Sequence, residues 1–164
     1  MHNKNIFSQT IIAFDTETSG QYPLQAEVCE IAAVKWSQGK VIDTFSSLVK
    51  VSEPMGEKVI GIPGITNEML KDAPKMVDIL PSFREFIDDG YLVAHHSPFD
   101  LGFMAIEFEK YNLSLPERPA FCSSLLSQKI FPNSPNHKLQ TLIKYLKIEP
   151  VSYTHLTLPT ICSV

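Results

Sequence analysis

The run Thr10-Ile11-Ile12-Ala13-Phe14 is the feature that most limits how this chain can fold. It is apolar, rich in β-branched side chains and free of charge. Such a run reads as a buried strand in the middle of a sheet. Asp15 and Glu17 follow it directly. Residues two apart on an extended chain point to one face, so two carboxylates leave the end of a central strand side by side. Two anions so placed repel, and one keeps its proton unless a cation joins them. Oxygen-lined sites of this kind suit Mg²⁺ or Mn²⁺. A plainer reading is a turn opened by Asp15 and Thr16 and closed by Gly20, with Glu17 in solvent. On these residues alone both readings stay open.

The rest of the chain alternates between strand and helix patterns. Val28–Trp36 and Lys40–Val51 read as two further strands, joined by a hairpin turn at Ser37-Gln38-Gly39. Gly56–Ala73 is irregular, with Gly61, Pro63 and Gly64, and ends in a short helix capped by Thr66. Met76, Ile79, Leu80, Phe83, Phe86 and Ile87 recur at helical spacing with one apolar face. Tyr91–Ala94 is a short buried strand. Ser97–Tyr111 is a helix in which Ser97, Pro98 and Asp100 occupy the cap, first-turn and box-partner positions. Ala120–Phe131 holds a short strand running into a helix. Lys138–Leu146 is helical, with Leu139, Leu142, Ile143 and Leu146 on one side. The order β-β-β-α-α-β-α-α-α predicts an α/β fold with a mixed sheet flanked by helices. Its three-stranded start is antiparallel and its later strands are parallel.

A length of 164 residues predicts one domain that needs no staples. The net charge of −4 argues against a protein that coats duplex nucleic acid. It leaves room for an enzyme that grips one chain end through metal ions, because acidic ligands count as negative until the cation arrives. No apolar run of about 18 residues suggests a membrane span, and MHNKNIFSQT lacks the apolar core of a secretory signal. Cys29, Cys122 and Cys162 match neither a metal spacing nor a disulfide framework. That fits a reducing cytosol, and a cytoplasmic location is expected.

Two strings of residues carry a resemblance. Phe14-Asp15-Thr16-Glu17-Thr18-Ser19-Gly20 resembles the first motif, F-D-T-E-T-T-G, of the DEDDh 3′→5′ exonucleases, the family of the proofreading subunit of bacterial DNA polymerase III. It departs only at Ser19. Ala94-His95-His96-Ser97-Pro98-Phe99-Asp100-Leu101-Gly102-Phe103-Met104 resembles the second motif, A-H-N-x-x-F-D-x-x-F-L, with His96 for asparagine and Met104 for leucine. The resemblance implies a ribonuclease H-like fold. It also implies that Asp15, Glu17 and Asp100 hold two Mg²⁺ or Mn²⁺ ions. Thr18, Ser19 and Gly20 would lie against the 3′-terminal nucleotide, and Leu24 would be an apolar wedge near the terminal base. Taken without the resemblance, Asp100 is a capping-box residue reaching back to Ser97. Glu30, in Cys29-Glu30-Ile31-Ala32-Ala33-Val34, reads as structural, and a buried acid there must find a partner. His95 reads as a satisfied polar residue under the sheet edge. Adjacent histidines on a strand point to opposite faces, so His95 and His96 make a poor zinc pair. Lys138 and Lys144 read as solvated helix-surface residues rather than phosphate contacts.

The resemblance covers Thr10 to about Ile148. The family then needs H-x-x-x-x-D, which supplies the general base and a fourth carboxylate. His155 stands in a matching place, but the residue five later is Thr160. Pro159 and three threonines also suit a helix poorly. Residues 1–150 are therefore expected to form the exonuclease domain without its third motif. Residues 151–164 are expected to be a non-native or diverged tail.

The function this implies is hydrolysis of nucleic-acid 3′ ends to nucleoside 5′-monophosphates, impaired in the chain as it stands. The substrate would be the single-stranded or frayed 3′ end of DNA, with RNA as an alternative, and the partner a DNA polymerase subunit. A module of the same fold that binds a polymerase or a nucleic-acid end without cutting is the rival reading, as is an RNA-trimming exoribonuclease.

Overall fold

A computed structural model describes residues 8–56 and 64–148. Five strands form one sheet: Ile11–Thr18 (β1), Val28–Ser37 (β2), Lys40–Leu48 (β3), Tyr91–Ala94 (β4) and Phe121–Cys122 (β5). Their order is β3-β2-β1-β4-β5. β1 pairs antiparallel with β2, and β2 antiparallel with β3. β4 pairs parallel with β1, and β5 parallel with β4. The sheet is thus the mixed one expected, and β5 is the short strand expected within Ala120–Phe131. The helices are Asn67–Lys71 (α1), Met76–Phe86 (α2), Pro98–Lys110 (α3), Ser123–Ile130 (α4) and Leu139–Tyr145 (α5). No helix among the described residues is long and apolar enough to cross a membrane.

Local chemistry explains the main junctions. The β2–β3 turn places both Gln38 and Gly39 at positive φ, 51° and 82°. Two such residues make the tight hairpin turn whose twist matches the flanking strands. Thr66 caps α1 by accepting from the Met69 N–H, as its spacing predicts.

The core lies between the sheet and α2 and α3. Ile12 and Phe14 point from β1 into it, beside Ile31 and Ala33 of β2. Leu80 and Phe83 of α2 and Phe103, Met104 and Phe108 of α3 close it from the other side. Phe83 packs on Phe45 at 5.1 Å and on Phe14 at 6.4 Å between ring centroids. Each such side chain stabilises the fold by roughly 2–3 kcal/mol through burial. A smaller cluster of Cys29, Met55, Ile65 and Leu70 holds the far end of β2.

β4 lies close against β1 because residue 90 is glycine. A Cβ there would meet Ile12 Cδ1 at 2.6 Å and Ile12 Cγ1 at 2.7 Å. The β1–β4 pairing stops at Ala13↔Val93, so β1 runs on beyond its neighbour. That overhang is where the acidic residues lie.

Candidate active site

β1 is longer than the apolar run that announces it. Asp15 and Glu17 lie inside the strand rather than in a turn after it. The turn reading of Asp15-Thr16 is therefore set aside. Asp15 pairs across to Ala32 and Glu17 to Glu30. Thr16, between the two carboxylates, points to the opposite face and is buried.

Asp100 meets Thr16 there. Its Oδ1 accepts from the Thr16 backbone N–H at 3.0 Å and from the Thr16 hydroxyl at 2.9 Å. The cause is geometric: β4 ends too early to pair this part of β1, and the first turn of α3 supplies the acceptor instead. Asp100 is 2% exposed. The capping-box alternative fails, since Ser97 makes no side-chain cap and Asp100 spends its oxygen on Thr16. Pro98 does begin the helix, and Asp100 lies in its first turn. Asp100, distant in sequence, thus comes near enough for its charge to act on Asp15 and Glu17.

Burial, reinforced by crowding of like charges, sets the electrostatics. Burial pushes the Asp15 carboxyl up to about 8, and the charges of Asp100, Glu17 and Glu30 add to the effect. Burial, then Glu30 and Asp100, push Glu17 up to about 7. Burial raises Asp100 as well, against the pull of its two Thr16 bonds. Glu30 is raised by burial. Without a counter-cation these acids cannot all ionise at neutral pH. A hard oxygen donor set with excess negative charge fits divalent cations. Among the described residues, no three His, Cys, Asp or Glu side chains form a ready metal shell. The acids share one field while Asp100 is turned onto Thr16.

The segment after β1 is held by its own polar groups. The Ser19 N–H donates to the Glu27 carbonyl at 2.8 Å, and the Glu27 N–H to Ser19 Oγ at 2.9 Å. The Thr18 hydroxyl donates to the Gly20 carbonyl at 2.7 Å. A Cβ on Gly20 would press on the Ala26 Cβ at 3.1 Å. Beyond it Leu24 is 89% exposed, an apolar side chain with no place in the core.

The two histidines behave differently from the sequence reading. β4 ends at Ala94, and His96 has a positive φ of 63°. The rings of His95 and His96 therefore meet edge to face at 5.1 Å rather than on opposite faces. His95 Nδ1 lies 3.0 Å from Ser123 Oγ, while its buried Nε2 has no hydrogen-bond partner. It is half satisfied, and burial holds its pKa below the usual value. His155 lies outside the described residues, as do residues 151–164. Two participants escaped the sequence reading: Thr16, which holds Asp100, and Glu30, which faces Glu17. Alternation along β1 was a signal for Thr16. Glu30 depends on the register of β1 against β2, which no residue pattern announces.

Known proteins resemble this chain in sequence and in fold. The chain is 38% identical over 141 residues to the DNA polymerase III PolC-type of Bacillus cereus, covering 86% of this chain and 10% of that polymerase. It is 37% identical over 142 residues to that of Bacillus subtilis, with the same coverage of 86% and 10%. The chain thus spans about a tenth of the length of the curated relatives it matches. Among solved structures, exonuclease X in complex with 5′ overhanging duplex DNA matches with a TM-score of 0.67 and 25% identity. That match covers 88% of this chain and 80% of the other. Product-bound exonuclease I matches with a TM-score of 0.76 over 89% of this chain and 40% of that one. At 14% identity this last likeness shows the fold alone. The family is divalent-metal dependent. Residues 12–157 match the family model described as Exonuclease, and the chain belongs to that family as a 3′→5′ exonuclease domain of ribonuclease H-like fold.

Proposed function

We propose that the chain is a proofreading-type exonuclease domain acting on the single-stranded or frayed 3′ end of DNA and releasing nucleoside 5′-monophosphates. Asp15, Glu17 and Asp100 hold two divalent ions, Mg²⁺ or Mn²⁺. When bound, such ions lower the pKa of an attacking water and stabilise the leaving 3′ oxygen. The observation that carries this reading is the double hydrogen bond from Thr16 to Asp100, which ties the third acid to the strand segment bearing the first two.

The chain's own residues do the rest. Thr16 fixes the Asp100 carboxylate. Thr18, Ser19 and Gly20 present a braced backbone to the terminal nucleotide, and exposed Leu24 wedges against its base. His155 accepts the proton from water. DNA is preferred over RNA because the relatives are named as DNA polymerase III and the exonuclease X complex contains duplex DNA. By the same relationship a DNA polymerase is the partner and the cytoplasm the location. Residues 1–150 form the domain and 151–164 a non-native or diverged tail. Thr160, where a carboxylate is needed, favours a weak enzyme and keeps a non-cutting binding module as the second reading.

A 3′-labelled oligonucleotide with Mn²⁺ tests the proposal. The chain should release labelled nucleotide slowly, and Asp15→Asn should stop it. Release that continues in Asp15→Asn would overturn the assignment.

A further inference from the structure

Glu30 is an acid in the wrong place for a structural residue. It lies inside β2, between Glu17 on one neighbouring strand and Leu48 on the other. Neither neighbour offers a positive charge or a donor side chain. The ion pairs among the described residues are Lys35–Asp89, Lys71–Glu68, Arg84–Asp88 and Lys110–Glu107, so none engages Glu30. Like charges directly opposite on adjacent strands destabilise a sheet.

The backbone nevertheless enforces the pairing. The β1–β2 register changes after Glu17, which faces Glu30, while Thr18 faces Val28. Cys29 is the extra residue of this bulge. It is fully buried beside Met55, Ile65 and Leu70, while the unbroken β1–β2 register from Ile11↔Trp36 to Glu17↔Glu30 holds the two acids opposite each other. A local cost with no structural return marks a functional position.

We propose that Glu30 is a positioning residue of the cation site: its carboxylate, held opposite Glu17, supplies a further negative charge that draws divalent ions to Asp15, Glu17 and Asp100. The inference rests on the reading of those three acids as ligands. Glu30 need not touch an ion, since outer partners of metal ligands act through charge and orientation.

The test is Mn²⁺ binding by the full chain, followed by electron paramagnetic resonance, together with thermal unfolding in EDTA. Glu30→Gln keeps the shape and removes the charge. It should weaken Mn²⁺ binding about tenfold while raising the metal-free Tm by roughly 1–4 °C, because a repulsion is gone. A purely structural residue would not move the two readouts in opposite directions. Glu30→Asp, which keeps the charge, should retain most of the binding. If the parent binds Mn²⁺ and Glu30→Gln binds it equally well, the inference fails and the ligand reading stands. If Glu30→Gln and Glu30→Asp lose Tm and binding together, Glu30 is structural and the inference also fails. If the parent binds no Mn²⁺, the ligand reading itself falls, and the inference with it.

Discussion

The Asp100 carboxylate takes both donors of Thr16, the backbone N–H at 3.0 Å and the hydroxyl at 2.9 Å. This one contact joins the first turn of α3 to the overhanging end of β1. Thr16→Val keeps the β-branched shape and deletes only the hydroxyl. A buried hydrogen bond to a charged group contributes about 1.5–3 kcal/mol. The variant should therefore lose roughly ten- to a hundredfold in kcat, with Asp100 less firmly held, and still fold. Steady-state kinetics with a circular-dichroism control checks it. An unchanged kcat would show that the hydroxyl has no part in placing Asp100.

The acidic cluster also makes the stability of the metal-free protein depend on pH. Asp15 rises from 3.8 to about 8 and Glu17 from 4.5 to about 7 on folding. Between the lower and upper values the folded state binds more protons than the unfolded state, so stability falls as pH rises. The contribution is complete below about pH 4 and is lost through the window that ends near pH 8. In EDTA, Tm should thus be higher at pH 5 than at pH 8. Mn²⁺ competes with protons for the same oxygens, so its stabilising effect should be larger at pH 8. Scanning calorimetry at both pH values, with and without Mn²⁺, decides; a Tm indifferent to pH and metal refutes the account.

Much of this architecture is readable from the residues. The boundaries of β4, Tyr91–Ala94, follow directly from a short apolar run, and the α2 stripe of Met76, Leu80, Phe83 and Phe86 is buried as its period requires. What escaped depends on relations between segments. Whether Asp100 caps its own helix or reaches another strand is invisible locally, because both uses need an acid in the first turn. The facing of Glu17 and Glu30 hangs on the β1–β2 register, which runs unbroken from Ile11↔Trp36 to this pair. α4 reverses the usual rule: Leu125, Leu126 and Ile130 are exposed, while Ser124 and Ser127 are buried. Ser127 Oγ bonds the Ser124 carbonyl at 2.7 Å and lies 3.0 Å from His137 Nδ1. An apolar pattern alone cannot anticipate an inward polar face.

Gly90 sets the distance between the β4 entry and β1. Gly90→Ala would drive its Cβ into the side chain of Ile12, which is fully buried. Overpacking of this kind costs about 1–3 kcal/mol. Ile12→Ala removes both Cδ1 and Cγ1, the two nearest atoms. The double variant should therefore be less destabilised than the sum of the singles, since neighbours in contact couple. Urea unfolding of the four proteins measures this, and strict additivity would mean that the strain at residue 90 is relieved elsewhere.

The last prediction concerns the fourth acid. The family match runs to residue 157, past His155 and short of Thr160. Thr160 cannot contribute the charge of a carboxylate, so one ion is weakly held and the chain as written should degrade a 3′-labelled oligonucleotide slowly. Replacing residues 149–164 with the corresponding segment of the Bacillus cereus polymerase, provided it carries H-x-x-x-x-D, should supply the missing ligand and set the general base beside it. A general base that is not held beside its metal-bound water forfeits much of an effect worth roughly 10²–10⁴ in rate. A gain of at least about a hundredfold is therefore expected, together with tighter Mn²⁺ binding. The sequence after Ile148 controls activity if the chimaera gains and its Asp100→Asn variant does not. Equal rates for parent and chimaera would mean that the three acids on β1 and α3 work without a fourth.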